Sequence, residues 1–379
     1  MLNFIGINLF PKTNLVYPSS LIRFICSNST THHNSFTISY LINNCGLSQQ
    51  KARSVSKKIH FESSTNPDSV LTLFRNTGFS DSQISKITTK WPSLLLSSVD
   101  KTLKPKIDFF VCKGLSGADL VKVLCRDPHI LRYSLEKTII PCYQCLKSIV
   151  GTDENVFTVL KRSMQVLTND HDRIATNIAL LHAHGVPDSN IVKLLSSQPR
   201  VLLISDSRLS EIVEEVEKLE FNASQYVFLV GVRALAAMSV SSLEAKFNVY
   251  RSWGWSEDEL QSAFRRSPYC VMLSEKNIMS KMKYFVNKMG YAPSTIAKQP
   301  SILQASYEKK IVPRCSVIQV LTTKGLIKEA PALVTFLTLS DDEFLKKFVT
   351  KFEKKVPELM KVYRGKTTMK GLDRCSSVI

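Results

Sequence analysis

No apolar run in the 379-residue chain reaches the roughly 18–20 residues that a membrane-spanning helix needs. The nearest, VFLVGVRALAAMSV from Val227, is shorter and carries Arg233, so it reads as a buried helix. Signatures of common catalysts are missing as well. There is no GxxxxGK[ST] loop, no GxGxxG after a strand and no HExxH. With no catalytic constellation and no cofactor motif, the expectation is a non-enzyme. The nine cysteines are odd in number and follow no framework, which suits a reducing compartment better than a disulfide-stapled secreted fold. Cys142 and Cys145 form a solitary CxxC with no partnering pair, so they are expected to pack rather than hold metal. Acidic residues are absent from the first 61 positions; the first is Glu62.

What is abundant is positive charge. Fifty Lys and Arg stand against 32 Asp and Glu, a net charge of +18, which points to a polyanionic partner. Six of the basic residues precede Glu62, so from Glu62 onward 44 stand against 32 and the balance there is still +12. Residues 1–35 are acid-poor, rich in Ser, Thr and Asn and mildly amphipathic. They are expected to be an organelle transit peptide, with mitochondrion favoured and plastid the alternative.

The rest of the chain repeats. GFSDSQISKITTKWPSLLL starts at Gly78, GLSGADLVKVLCRDPHIL at Gly114, GVPDSNIVKLLSSQPRVLL at Gly185 and GWSEDELQSAFRRSPYCVM at Gly254. In each, a proline follows the glycine by fourteen positions. Gly78, Gly114, Gly151, Gly185, Gly254, Gly290 and Gly325 are separated by 36, 37, 34, 69, 36 and 35 residues, the 69 spanning a degenerate copy near Phe221. Periods of this size indicate stacked helical repeats. The glycine ends one helix in the left-handed conformation, and Ser80–Gln83 and Ser256–Glu259 read as capping boxes opening the next. The proline then stops that helix, and an apolar pair such as Ile130–Leu131 forms a short tucked turn. A second proline, at Pro105, Pro141 and Pro313, sits in the helix that runs on to the next glycine. Met164 occupies one slot without a proline. The expected fold is all-α, a curved α-solenoid of about eight or nine repeats of roughly 35 residues, each two helices plus a short 3₁₀ connector.

These glycine- and proline-marked units behind an organelle-type leader resemble the mitochondrial transcription termination factor (mTERF) family in its plant-type form. The resemblance covers about residues 36–366, with LSDDEFLKKFVTKFEKKVPELMKVYRGK from Leu339 similar to the closing segment of such chains. It implies a helical array over 36–340, a cap over 341–366 and a disordered tail over 367–379. It also implies a monomer that binds nucleic acid along a positive inner surface. Double-stranded DNA and organellar transcription or its termination come first. RNA binding for intron splicing or ribosome assembly is the alternative, with organellar transcription or ribosomal proteins as partners. A protein-interaction scaffold of the same fold is the reading from another class.

A basic residue stands two places before the proline slot at Lys90, Arg126, Arg162, Arg266 and Lys298, with Ser197 the exception. Repetition would set these cations in a row suited to phosphates; equally, a cation in the last turn of a helix is favoured by the helix dipole alone. Arg132, Arg173, Arg200, Lys281, Lys309, Lys310 and Arg314 are further candidates for nucleic-acid contact, and Tyr133 is the candidate for base stacking. Five glutamates on the helix of 207–220 should point away from any phosphate-binding surface. Asp341, Asp342 and Glu343 read as acids opening a helix.

Overall fold

A proline cannot donate to the turn behind it, and its ring crowds the carbonyl four residues earlier. Where this sequence places prolines, its helices therefore stop or widen. The computed structural model describes residues 33–168 and 171–365. Most of the expected leader and the whole expected tail lie outside them. The chain divides into two units, one ending at Lys104 and one beginning at Pro105.

In the first unit, helices His33–Asn43, Gln49–Ser56, Thr65–Asn76 and Asp81–Lys90 lead to a 3₁₀ turn, Pro92–Leu96, and a π-type turn, Val99–Leu103. The Ser80–Gln83 capping box forms as the sequence predicts. Asn66 holds the connector, its amide donating to the carbonyls of Leu95 (2.8 Å) and Ser97 (3.2 Å).

In the second unit a first helix, a connector and a second helix recur. First helices are Gly117–Arg126, Asp153–Arg162, Asp188–Ser197, Tyr226–Ala236, Glu257–Arg266 and Pro293–Lys298. The 3₁₀ connectors Pro128–Arg132, Met164–Leu167, Pro199–Leu203, Pro268–Met272 and Pro300–Gln304 follow all but the fourth of these. Second helices are Ile140–Val150, His171–Ala183, Asp206–Lys218, Val240–Ser252, Glu275–Lys283 and Val312–Thr323. Both members of the apolar pair are fully buried at Ile130–Leu131 and Val166–Leu167. At about 1.5–3 kcal/mol for each such side chain, the pair anchors the connector. That is why the Met164 slot still makes its turn: the apolar pair suffices without the ring.

The second prolines do something the sequence reading did not anticipate. Helices Ile140–Val150 and Val312–Thr323 are each preceded by a π-type turn, Leu135–Ile139 and Tyr307–Ile311. The amide of Ile139 reaches the carbonyl of Ser134 (3.0 Å), and that of Ile311 the carbonyl of Ser306 (2.9 Å), five residues back in each case. Pro141 and Pro313 would press their rings against the carbonyls of Lys137 and Lys309 in a regular helix, and the wider turn makes room.

The degenerate copy also has a physical description. Helices Tyr226–Ala236 and Val240–Ser252 join without a 3₁₀ connector and bend by 110° at the break. No proline or apolar pair is present there, and Ser239 caps the second helix instead, accepting from the amide of Ser242 (3.2 Å). Where the register calls for a glycine, midway between Gly185 and Gly254, stands Glu220 at φ +61°. Among the described residues it is the one non-glycine with positive φ. The run VFLVGVRALAAMSV is a buried helix only over its first ten residues, where Phe228, Leu229 and Val232 are inaccessible; its last residues form the break and start the next helix. Among the described residues no single helix is long and apolar enough to cross a membrane.

A left-handed residue with a side chain costs about 1–2 kcal/mol. Glu220 recovers little of this from its pairing with Arg265, because it is 77% exposed. Glu220→Gly is therefore expected to stabilise the chain by about 1 kcal/mol, read as a higher thermal midpoint. A lower midpoint would show that the Arg265 contact outweighs the strain.

Candidate nucleic-acid interface

Every short helix leaves its last carbonyls without partners inside the helix, and this requirement decides where many of the basic residues go. Arg126 ends helix Gly117–Arg126 and reaches into the next repeat. Its guanidinium donates to the carbonyls of Leu160 (3.0 Å) and Lys161 (2.5 Å) in the last turn of Asp153–Arg162. Arg266 does the same one period before the end of the array, donating to the carbonyl of Lys298 (2.8 Å). Ser197, the exception in sequence, contacts the Tyr226 hydroxyl of the following repeat at 2.9 Å. At these three places the position is a repeat-to-repeat contact, a role the sequence reading did not anticipate. Arg126, Arg162, Arg266 and Lys298 are nonetheless exposed in the second unit, and Lys90 is exposed in the first.

Two predicted ligand contacts are corrected. Lys281 is 2% exposed and its ammonium donates to the Leu303 carbonyl at 2.6 Å. Arg314 is 0% exposed and donates to the carbonyls of Phe336 (2.7 Å) and Leu339 (2.8 Å) and to the Asp341 carboxylate (2.6 Å). Both are consumed inside the fold, because the connector and the closing segment turn carbonyls inward where no water can serve them.

They belong to a series the sequence reading missed. Lys106 donates to the Leu131 carbonyl at 2.6 Å, Asn177 to those of Leu202 (3.1 Å) and Ile204 (2.9 Å), and Lys246 to that of Leu273. Lys106, Asn177 and Lys246 each stand eight residues before a period glycine and Lys281 nine, a register visible in sequence once the glycines are aligned. Burial lowers the pKa of Lys106 and Lys281, since a desolvated ammonium is disfavoured relative to the neutral amine.

The other candidates stay at the surface. Arg132 closes the connector Pro128–Arg132, Arg200 lies in Pro199–Leu203, and Arg173 and Lys309 sit in the opening turns of second helices; all four are exposed. Lys310 is half-buried, with its ammonium 3.5 Å from the Leu339 carbonyl. Tyr133 follows Arg132 and is 38% exposed. Three other aromatics are committed to contacts within the fold. Trp255 is buried and stacked on Tyr250 (4.3 Å between centroids), Tyr143 is buried, and Tyr226 carries the Lys193 ammonium over its ring.

Asp341 and Asp342 open a helix, as the sequence predicts, and Ser340 and Glu343 form its capping box. Glu211, Glu214 and Glu217 are exposed on helix Asp206–Lys218, Glu217 meeting His184 at 2.7 Å. Among the described residues no group of three or more His, Cys, Asp or Glu converges as a metal site, and Cys142 is buried.

The family model described as mTERF matches residues 71–234 and 232–345. Among curated proteins the chain is similar to three from Arabidopsis thaliana. It is 26% identical over 265 residues to transcription termination factor MTERF8, chloroplastic, an overlap of 69% of this chain and 51% of that protein. It is 22% identical over 292 residues to transcription termination factor MTERF15, mitochondrial, covering 75% of this chain and 57% of that protein. To transcription termination factor MTEF18, mitochondrial, it is 20% identical over 300 residues, covering 72% and 53%. The chain thus spans about half the length of the curated relatives it matches.

Two outcomes follow from the internal donors. Asn177→Leu keeps the branching and heavy-atom count but leaves the Leu202 and Ile204 carbonyls without their donor, so it should cost about 2–4 kcal/mol in denaturant unfolding. Exposed Arg173→Gln on the same helix should stay within about 0.5 kcal/mol of wild type. The hydrogen bond from Arg314 holds the Asp341 carboxyl below its usual 3.8. A depressed folded pKa means stability that is present above pH 3.8 and lost as pH falls through the folded value. Asp341→Asn should therefore unfold more easily at neutral pH and show a shallower acid limb below pH 3.8; parallel curves would place the linkage elsewhere.

Proposed function

We propose, because this chain belongs to the mTERF family and is strongly basic, that it is a nucleic-acid-binding factor of organellar gene expression. Its ligand on this reading is duplex DNA and its work the regulation or termination of organellar transcription. The observation that carries the reading is the persistence of exposed cations from repeat to repeat: Arg126, Arg132, Arg162, Arg173, Arg200, Arg266, Lys298 and Lys309 all face solvent in the second unit. Equivalent positions in stacked repeats recur at regular intervals, as phosphates do along a duplex, and each phosphate neutralised releases condensed counterions.

The organelle is proposed from the acid-poor leader together with the printed names of the relatives, in which both mitochondrial and chloroplastic occur. The mitochondrion is the first choice and the chloroplast the second. No catalytic step is needed, since binding alone can block or recruit other machinery.

The reading is tested by titrating the chain with matched lengths of duplex DNA and RNA across a salt series. Phosphate tracking predicts log Kd rising with log salt at a slope of about 4–6 for roughly five or six contacts. Preference for DNA supports transcription, and preference for RNA moves the assignment to splicing or ribosome assembly. Binding to neither polymer at low salt would overturn the reading in favour of a protein scaffold.

A further inference from the structure

An array of stacked repeats buries each unit against the next, so its two ends need covers with a polar outer side. The carboxyl-terminal end has one. Phe344, Phe348, Leu359 and Val362 of the closing segment are buried, and that segment packs on the last second helix, Val312–Thr323. The amino-terminal end differs. Its first described helix, His33–Asn43, packs on Gln49–Ser56 but leaves Phe36 42% exposed, and Ile38 and Ile42 are only half-buried.

Five large hydrophobic side chains are exposed among the described residues, and two of them, Phe36 and Leu96, border one cavity in the first unit. The cavity measures about 610 Å³, and Leu96, 47% exposed, lines it together with Phe61 and Pro67. The Phe36 ring stands edge-on to that of Phe61, with centroids 6.2 Å apart. Asn66 pins the connector that carries Leu96 by donating to the carbonyls of Leu95 and Ser97, so the groove wall is fixed. Glu62 is the one charged residue in the lining. An apolar groove flanked by an exposed phenylalanine is a surface that calls for a cover.

We propose that residues 21–26, LIRFIC, occupy this groove in the full chain. Reach permits it: ten residues separate Cys26 from Phe36, and an extended chain spans up to about 3.5 Å per residue. The chemistry matches, since Leu21, Ile22, Phe24 and Ile25 suit an apolar lining. The charge matches too. No acid precedes Glu62 in the chain, and Arg23 lies within the segment that would meet it. The leader's other apolar run, FIGINLF from Phe4, carries no charge and is farther along the chain. Removing the leader would bare Phe36 and the groove together, so the cover would last only until processing. The proposal does not depend on the nucleic-acid reading.

Deuterium uptake at residues 61–69 and 94–97 is compared at two protein concentrations between the full chain and the full chain carrying Ile22→Asp and Phe24→Asp. Uptake there should be about tenfold faster in the leader variant and unchanged elsewhere in the array. Leu96→Asp, on the groove side, should speed uptake at 61–69 to the same extent. Equal uptake in the wild type and the leader variant overturns the proposal, including the case in which Leu96→Asp alone has an effect. Protection seen only at the higher concentration also overturns it, since a second copy would then be the occupant. Any of these failures leaves the functional reading standing.

Discussion

A carbonyl with no helix to bond within is the constraint on which this architecture turns. Its helices are short, six to thirteen residues in the repeated units, and each connector between them points backbone oxygens inward. Buried oxygens of this kind must find donors. In repeat after repeat the donor comes from the preceding second helix: Asn66, Lys106, Asn177, Lys246, Lys281 and Arg314. The chemistry varies between amide, ammonium and guanidinium while the target stays the same. Such bonds cross from one repeat to the next, so the stability of each repeat depends on its neighbour. The last of them, Arg314, also ties down the closing segment through Asp341 and the ring of Phe344.

That scheme divides the positive charge into three populations with different work. One is buried and spent on connectors. A second lies at first-helix ends, where Arg126 and Arg266 cap the following helix while remaining exposed. The third stands at second-helix openings, where Lys137 and Lys309 lie exposed next to Glu136 and Glu308. Net charge counts all three alike. Only the first is settled by burial, and the other two are separated by whether the cation caps carbonyls of a neighbouring repeat, as Arg126 and Arg266 do.

Irregularities in the array have the same kind of explanation. Pro141 and Pro313 widen the start of their helices into π-type turns, which displaces the carbonyls of the residues bearing the exposed lysines Lys137 and Lys309. Where glycine and proline both fail, the chain takes the left-handed turn with Glu220 and bends sharply without a connector. Only the left-handed turn is kept in that copy, without the glycine that normally makes it cheap.

The helical repeat was legible because its punctuation is local chemistry. Gly, Ser, Pro and an apolar pair each act within a few residues, so their order along the chain already specifies helix, cap, stop and tuck. Met164 and Glu220 show the limit of that legibility, since burial of Val166–Leu167 and the packing of flanking helices impose turns that neither residue advertises. Burial of charge was legible only as a register before the period glycines: by residue type Lys281 and Lys309 look alike, and it is the stacking of the next repeat that puts one beneath a connector and leaves the other in solvent. The sequence by itself determined the period, the helix ends and the excess of positive charge, because these follow from composition and near neighbours. Tertiary structure decided which cations are spent on carbonyls and which are left in solvent, because that depends on groups some 22 to 35 residues away along the chain.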